Sequence, residues 1–148
     1  SYTYCATDAD IQIASLLGAT GGKNMIIVGG PFTNLYAEQN NPDWLKFIKR
    51  EDSIVMRVMD KSFKFENSMW MKEDYAVIVW LTKIGHEIQE VILIEGCTRY
   101  GTKAATLYFK ENIHNFLSKR YVVVHWVDKN SNGDVDIDEI SVVAAGWG

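Results

Sequence analysis

The chain has 148 residues, 47% of them apolar and 23% charged, a composition that suits one globular domain and excludes disordered and fibrous classes. Its formal net charge is −4 and its basic residues are scattered, with only short runs such as Lys119-Arg120, so the clustered basic face that nucleic acid requires is not expected. No apolar run approaches the ~20 residues that span a bilayer, and the first residue, Ser1, points to a processed chain or an excised piece whose anchor or export signal would lie outside this sequence.

Thr7 is placed to cap a short helix from Asp8 to about Leu17, with Asp8 and Asp10 in its first turn and Ile11, Ile13, Ala14 and Leu17 on its apolar side. Gly18, Gly21 and Gly22 end it. Met25 to Val28 is a continuous apolar run, as in a strand covered on both faces, and Gly29-Gly30-Pro31 breaks it. Thr33 to Ala37 starts a helix in this reading, and Pro42 and Asp43 open a second helical stretch, Trp44 to Lys49, with Trp44, Phe47 and Ile48 on one face. Ser53 to Met59 and Ser62 to Glu66 read as short strands. Tyr75 to Thr82 and Glu87 to Glu95 form the clearest strand pair, joined by a loop at Ile84-Gly85-His86.

Thr102 is placed to cap a long amphipathic helix to about Ser118, with Ala105, Leu107, Tyr108, Ile113, Phe116 and Leu117 as its apolar surface. Tyr121 to Val127 is the last strand, and Ile140 to Ala145 reads as a short final helix. The strand–helix–strand order from Val91 through Val127 predicts a right-handed crossover between parallel strands, and the hairpin adds an antiparallel pair. The expected fold is therefore α/β, a mixed sheet flanked by helices. Residues 1–127 form the sheet domain, and residues 128–148 form a loop and terminal helix packed on it. Cys5 and Cys97 permit one disulfide between the N-terminal segment and the sheet edge. The competing reading is two buried thiols that behave as small hydrophobes.

The segment Asp128-Lys129-Asn130-Ser131-Asn132-Gly133-Asp134-Val135-Asp136-Ile137-Asp138-Glu139 places side-chain oxygens at positions 1, 3, 5, 9 and 12. Gly133 at position 6 supplies the turn, Asp134 at position 7 offers its backbone carbonyl, and Val135 at position 8 anchors the loop to the core. That is the ligand pattern of an EF-hand calcium loop, because calcium is a hard cation that takes 6–8 oxygens. The expected ligands are Asp128, Asn130, Asn132, Asp134, Asp136 and Glu139. The alternative is an Asp/Asn-rich surface turn that never meets metal. Tyr121 to Val127 reads as a strand, where a regulatory EF-hand has a helix, and no second loop is present to pair with this one. A rigidifying ion is expected rather than a sensor. Asp128, Asp134, Asp136, Asp138 and Glu139 would repel one another without metal, so binding would contribute to folding or assembly. Moderate affinity suits an extracellular compartment, where calcium is abundant.

Gly29-Gly30-Pro31 and Cys97 to Thr102 each follow a strand and precede a helix, where α/β sheets bind ligands and helix N-termini hold anions. Gly29, Gly30, Arg99, Gly101 and Thr102 are the candidate residues of such a loop site. Neither segment fits a P-loop or dinucleotide fingerprint, and a pair of tight turns or subunit contacts is the competing reading. His86, His114 and His125 lack zinc spacing, and nothing in the spacing supports a Cys97–His–Glu95 nucleophilic site. Trp44, Trp70, Trp80, Trp126 and Trp147 mark core or interface, with Trp147 placed to pack on a neighbouring subunit. Met56, Met59, Met69 and Met71 read as gap-filling.

Asn24-Met25-Ile26-Ile27-Val28-Gly29-Gly30-Pro31 with Asn34, and Ile92-Leu93-Ile94-Glu95-Gly96-Cys97 through Gly101-Thr102-Lys103-Ala104-Ala105, resemble archaeal S-layer protein domains, which carry an apolar strand with a Val-Gly-Gly-Pro turn and later a strand, a Gly-Thr turn and an Ala-rich helix. These patches span about half the chain, which is much shorter than S-layer proteins usually are. Asp128 to Gly148 is more similar to half of a dockerin than to calmodulin. The resemblance implies an extracellular, non-catalytic, cell-surface building block that uses calcium, as an S-layer fragment, a small secreted relative or a filament subunit. Its expected partners are copies of itself, as a homo-oligomer or polymer, or another cell-surface protein. Two other readings stand beside it. One is a small α/β enzyme or ligand-binding protein with its site at Gly29 to Pro31 and Thr98 to Thr102. The other is a dockerin-like module that binds a separate protein.

Overall fold

A computed structural model describes residues 24–84, 88–113 and 119–147, and the backbone of residues 4–6. The strands are β1 (Tyr4–Ala6), β2 (Met25–Val28), β3 (Leu45–Lys49), β4 (Ser53–Val58), β5 (Lys61–Glu66), β6 (Glu73–Ile84), β7 (Ile88–Gly96), β8 (Tyr121–Val127) and β9 (Ile140–Gly146). The helices among the described residues are α1 (Leu35–Asn40) and α2 (Arg99–Glu111). The expected helix from Asp8 to Leu17, the expected loop at Gly85-His86 and the part of the expected Thr102 helix beyond Ile113, with His114, lie outside the described residues.

One sheet has the order β1-β2-β7-β6-β8-β9, and a smaller antiparallel sheet has the order β3-β4-β5. β1, β2 and β7 are parallel, and β6 is antiparallel to both β7 and β8. β7 and β8 therefore run the same way, as the strand–helix–strand order predicts, but β6 lies between them. The central strands are apolar at successive positions, so both of their faces need cover. Val77, Val79, Val91, Leu93 and Val123 pack with Leu45, Ile54, Met56, Val58 and Phe65 of the small sheet. Ala76, Ile78, Ile92, Ile94, Val122 and Val124 pack with Ala105 and Phe109 of α2.

The fold is thus a sheet-rich mixed one, and the expectation of a sheet flanked by helices is corrected on one face. The reason lies in Trp44 to Lys49, expected as a helix. Leu45 is buried there and β4 supplies a ladder partner for every residue of β3, so strand pairing prevails over the helix-compatible spacing. The same correction applies to Ile140 to Ala145. Ile140, Val142 and Val143 are β-branched, and β8 pairs with this stretch in antiparallel register with a bulge at Val143, so it forms β9. The helix expected to start at Thr102 starts one turn earlier. Thr98 is its N-cap and accepts a hydrogen bond from the Tyr100 N–H.

The Cys5–Cys97 bridge is also corrected. Cys5 is in register with Ile26, and Ile26 with Ile92, five residues before Cys97. Five residues along the sheet and two strands across it separate the Cα atoms by more than about 15 Å, beyond disulfide reach. Cys97 is a buried free thiol.

Gly96 joins β7 to α2 where the helix passes directly over the strand end. A Cβ there would fall on backbone atoms of Thr98, Gly101 and Thr102. Gly96→Ala is expected to lower stability by about 3 kcal/mol or more, because backbone rather than a flexible side chain must move. Urea denaturation monitored by circular dichroism measures this.

Candidate metal centre

The loop of residues 128–139 sits inside a β-hairpin. β8 delivers Asp128, and the short 3-10 turn Ile137–Glu139 runs directly into β9. Val135 is buried beside Trp126 and Ala104, the anchoring role read from its position. Gly133 has φ +73 and Ser131 φ +58, both in the left-handed region that the tight turn needs.

Four of the expected ligands converge. Asp128 Oδ2 accepts the Gly133 N–H at 2.9 Å, and Asp128 Oδ1 accepts the Asn132 N–H at 3.3 Å. Asp136 Oδ2 lies 3.2 Å from the amide nitrogens of both Asn130 and Asn132. The loop is thereby folded round its positions 1, 3, 5 and 9. The Asp134 side chain turns outward to Lys103, whose ammonium holds the Asp134 carboxyl below its ordinary range. Position 7 is thus left with only its carbonyl for an ion, as the pattern requires.

Glu139 behaves differently. Its carboxylate is buried, 3% exposed. Oε1 accepts the Asp136 N–H at 3.0 Å and the Trp126 indole N–H at 3.3 Å, while Oε2 accepts the Lys129 N–H at 2.6 Å. It ties β8, the loop and the turn before β9 together through N–H donors. Among the described residues no group of three His, Cys, Asp or Glu side chains is gathered so as to hold a metal. Two of the convergent side chains here are amides, and the twelfth-position carboxylate faces N–H groups instead. Asp128, Asn130, Asn132 and Asp136 are residue types that a hard cation takes, and in this arrangement their oxygens accept hydrogen bonds from within the loop, as those of Glu139 accept from Trp126, Lys129 and Asp136.

Searches against protein-family models, curated proteins and solved structures find no significant match to this chain. The S-layer and dockerin resemblances rest on the quoted residues alone.

The glycine loops meet at the carboxyl ends of β2 and β7, around a cleft of about 240 Å³ lined by Gly29, Gly30, Cys97, Arg99 and Thr102 among others. Gly101 stands one turn into α2. The N–H groups that an anion would use are taken by Asp74, a residue whose role the sequence reading missed. Its Oδ2 accepts from the Thr98 N–H at 2.9 Å, the Gly101 N–H at 2.8 Å and the Thr98 hydroxyl. The Arg99 guanidinium lies over the rings of Trp70 and Tyr100. Thr102 Oγ1 accepts the Gly96 N–H at 3.0 Å. Gly29 has φ +125, a conformation that favours glycine, and a Cβ on Gly30 would meet the Gly96 carbonyl at 2.8 Å, so Gly30 serves close packing of the two loops. Burial pushes the Cys97 thiol well above its ordinary value, the opposite of an activated nucleophile. His125 stacks on Tyr75 and lies 3.0 Å from Glu73 Oε2.

Burial raises Asp74 to about 6, and its hydrogen bonds, the Thr98 hydroxyl first, offset part of that. A folded value above the ordinary 3.8 means that the contribution of Asp74 to stability is fully present below pH 3.8 and is lost as pH rises to about 6. Asp74→Asn turns an amide N–H₂ or a lone acceptor toward these donors and is expected to cost about 2–4 kcal/mol at neutral pH. It should also flatten the pH dependence between those two values. Urea denaturation across that range tests both.

Proposed function

We propose that this chain is an extracellular structural domain in which a calcium ion at the loop of residues 128–139 locks the β8–β9 hairpin, and that the edge so fixed mediates self-association, as in an S-layer or filament subunit. The observation that carries the reading is the convergence of Asp128, Asn130, Asn132 and Asp136 in a loop that leaves one strand and enters the next. These four would hold the ion with the Asp134 carbonyl, and Glu139 would join them by exchanging its N–H partners for the cation. The ion would supply charge neutralisation where five carboxylates crowd within twelve residues. Two strands cannot open like a pair of EF-hand helices, which favours a rigidifying role.

Support for self-association comes from β9. It is the last strand of its sheet among the described residues. Its sequence, Ile140 to Gly146, holds no charged residue and no proline, the usual protections of a sheet edge. Val142 is 46% exposed, Val143 40% and the adjacent Trp147 66%. No helix among the described residues is long and apolar enough to cross a membrane.

Thermal unfolding and light scattering, with calcium and then with EDTA, test the proposal. Saturating calcium is expected to raise Tm by on the order of 5 °C and to increase particle size. Asp128→Ala should abolish both effects, and in EDTA it should cost about 1–2 kcal/mol for the two loop hydrogen bonds it removes. Melting and size that ignore calcium and EDTA alike would overturn the calcium reading.

A further inference from the structure

β8 separates two unlike ends of the molecule. Lys119 and Arg120, both exposed, lie just before Tyr121. The loop of residues 128–139, with five carboxylates and one lysine, lies just after Val127. β9 runs back along β8, so Ile140 is paired with Trp126 and Gly146 with Tyr121. The Gly146 carbonyl accepts the Arg120 N–H at 2.8 Å. Trp147, the next residue, therefore stands at the basic end, and it is 66% exposed.

At the acidic end a cleft of about 490 Å³ opens between the turn before β6 and the loop, lined by Met69, Trp70, Met71, Val127, Asp128 and Gly133 among others. The Lys72 carbonyl accepts the Asp128 N–H at 2.8 Å and ties its two walls together. Trp70 and Met71 are both exposed. Trp70 is held edge-on to the Tyr100 ring at 5.1 Å, with the Arg99 guanidinium 5.3 Å from its centre. Met71 has φ +66, uncommon for a residue other than glycine, and a Cβ on Gly133 would lie 3.8 Å from Met71 Cε, so the methionine reaches across to the loop. Exposed Trp, Met and Arg side chains held in this way are the residue types enriched in the contact regions of protein partners.

The two ends fit each other. An indole is smaller than the ligands that clefts of roughly 300–1,000 Å³ accept, and thioethers make favourable contacts with aromatic rings. With Trp147 seated, Lys119 and Arg120 would arrive beside the loop, where Asp138 is exposed, so opposite charges would meet. The seven residues of β8 span about 20 Å, so Trp147 does not reach the cleft of its own chain.

We propose that copies of this chain join head to tail, with Trp147 of one copy entering the cleft between Met69–Met71 and the loop of residues 128–133 of the next. The inference rests on the self-association reading above and names the surface that receives the end of β9. The contact joins two different surfaces, so each added copy leaves one Trp147 and one cleft free. The assembly then grows as an open filament unless its rotation closes a ring. Because the loop forms one wall of the cleft, an ion that fixes the loop also shapes the receiving surface.

Sedimentation velocity of the full chain in calcium is expected to show species larger than a monomer. Trp147→Ala and Met71→Ser, both at exposed positions, should keep the circular dichroism of the parent and weaken association by about tenfold or more. Trp70→Ala serves as the cleft variant if Met71→Ser fails to fold. At a concentration where each variant alone is monomeric, an equal mixture should form dimers and nothing larger. Only the Trp147 of the cleft variant then meets an intact cleft, that of Trp147→Ala. A parent that stays monomeric removes the self-association reading and this proposal with it. If the parent assembles and either folded variant assembles equally well, or the mixture stays monomeric, this contact alone is overturned and self-association proceeds through another surface.

Discussion

Ala76 to Val79, Val91 to Ile94 and Val122 to Val124 lie side by side on three neighbouring strands and are buried throughout. Such strands persist only between two covering layers, since each large side chain left in water would forgo about 1.5–3 kcal/mol. The rest of the described chain is arranged to meet that need. α2 covers one face, and the β3-β4-β5 sheet covers the other. The cover is fastened by polar groups placed at its seams. Asp74 binds the first turn of α2 to the start of β6, and Glu95 on β7 is fully buried with no well-formed hydrogen bond among the described residues. In both places a carboxyl is kept in the interior, where burial raises its pKa.

The loop at Asp128 inherits its rigidity from this arrangement. β8 is one of the three central strands, so the loop leaves a fixed support, and Trp126 behind it is fully buried. Tyr100 stacks on Trp126 at an interplanar angle of 9°, and Trp126 donates to Glu139. The path from α2 through two aromatic rings to Glu139 is continuous. What varies is the outer strand, β9, which has β8 on one side and a row of exposed side chains beyond. A cation held in the loop would act on that strand first, by fixing the point at which it begins.

Much of this was legible in the sequence. Met25 to Val28, Tyr75 to Thr82 and Tyr121 to Val127 are recognisable because doubly covered strands have no polar alternation to obscure them. The loop stands out because its oxygen-bearing residues fall at the spacing that a calcium ion would require. Trp44 to Lys49 and Ile140 to Ala145 misled for one reason: short segments carry patterns compatible with either helix or strand, and a partner strand elsewhere in the chain decides. Thr98 and Thr102 are both able to cap a helix, and packing of Gly96 against the first turn selects the earlier one. Asp74 was missed because one aspartate before an apolar strand has no local signature, and its donors lie more than twenty residues away. Glu95 did carry a signal, as the charged residue in the run from Val91 to Gly96, and its fully buried place is visible only in the folded chain.

Calcium control of the β8–β9 hairpin, the central proposal, is tested directly by amide hydrogen exchange with and without calcium. Protection is expected to rise on calcium at residues 128–147, most strongly in β9, and to stay unchanged in β3, β4 and β5. Equal protection of the hairpin in calcium and in EDTA would contradict the account.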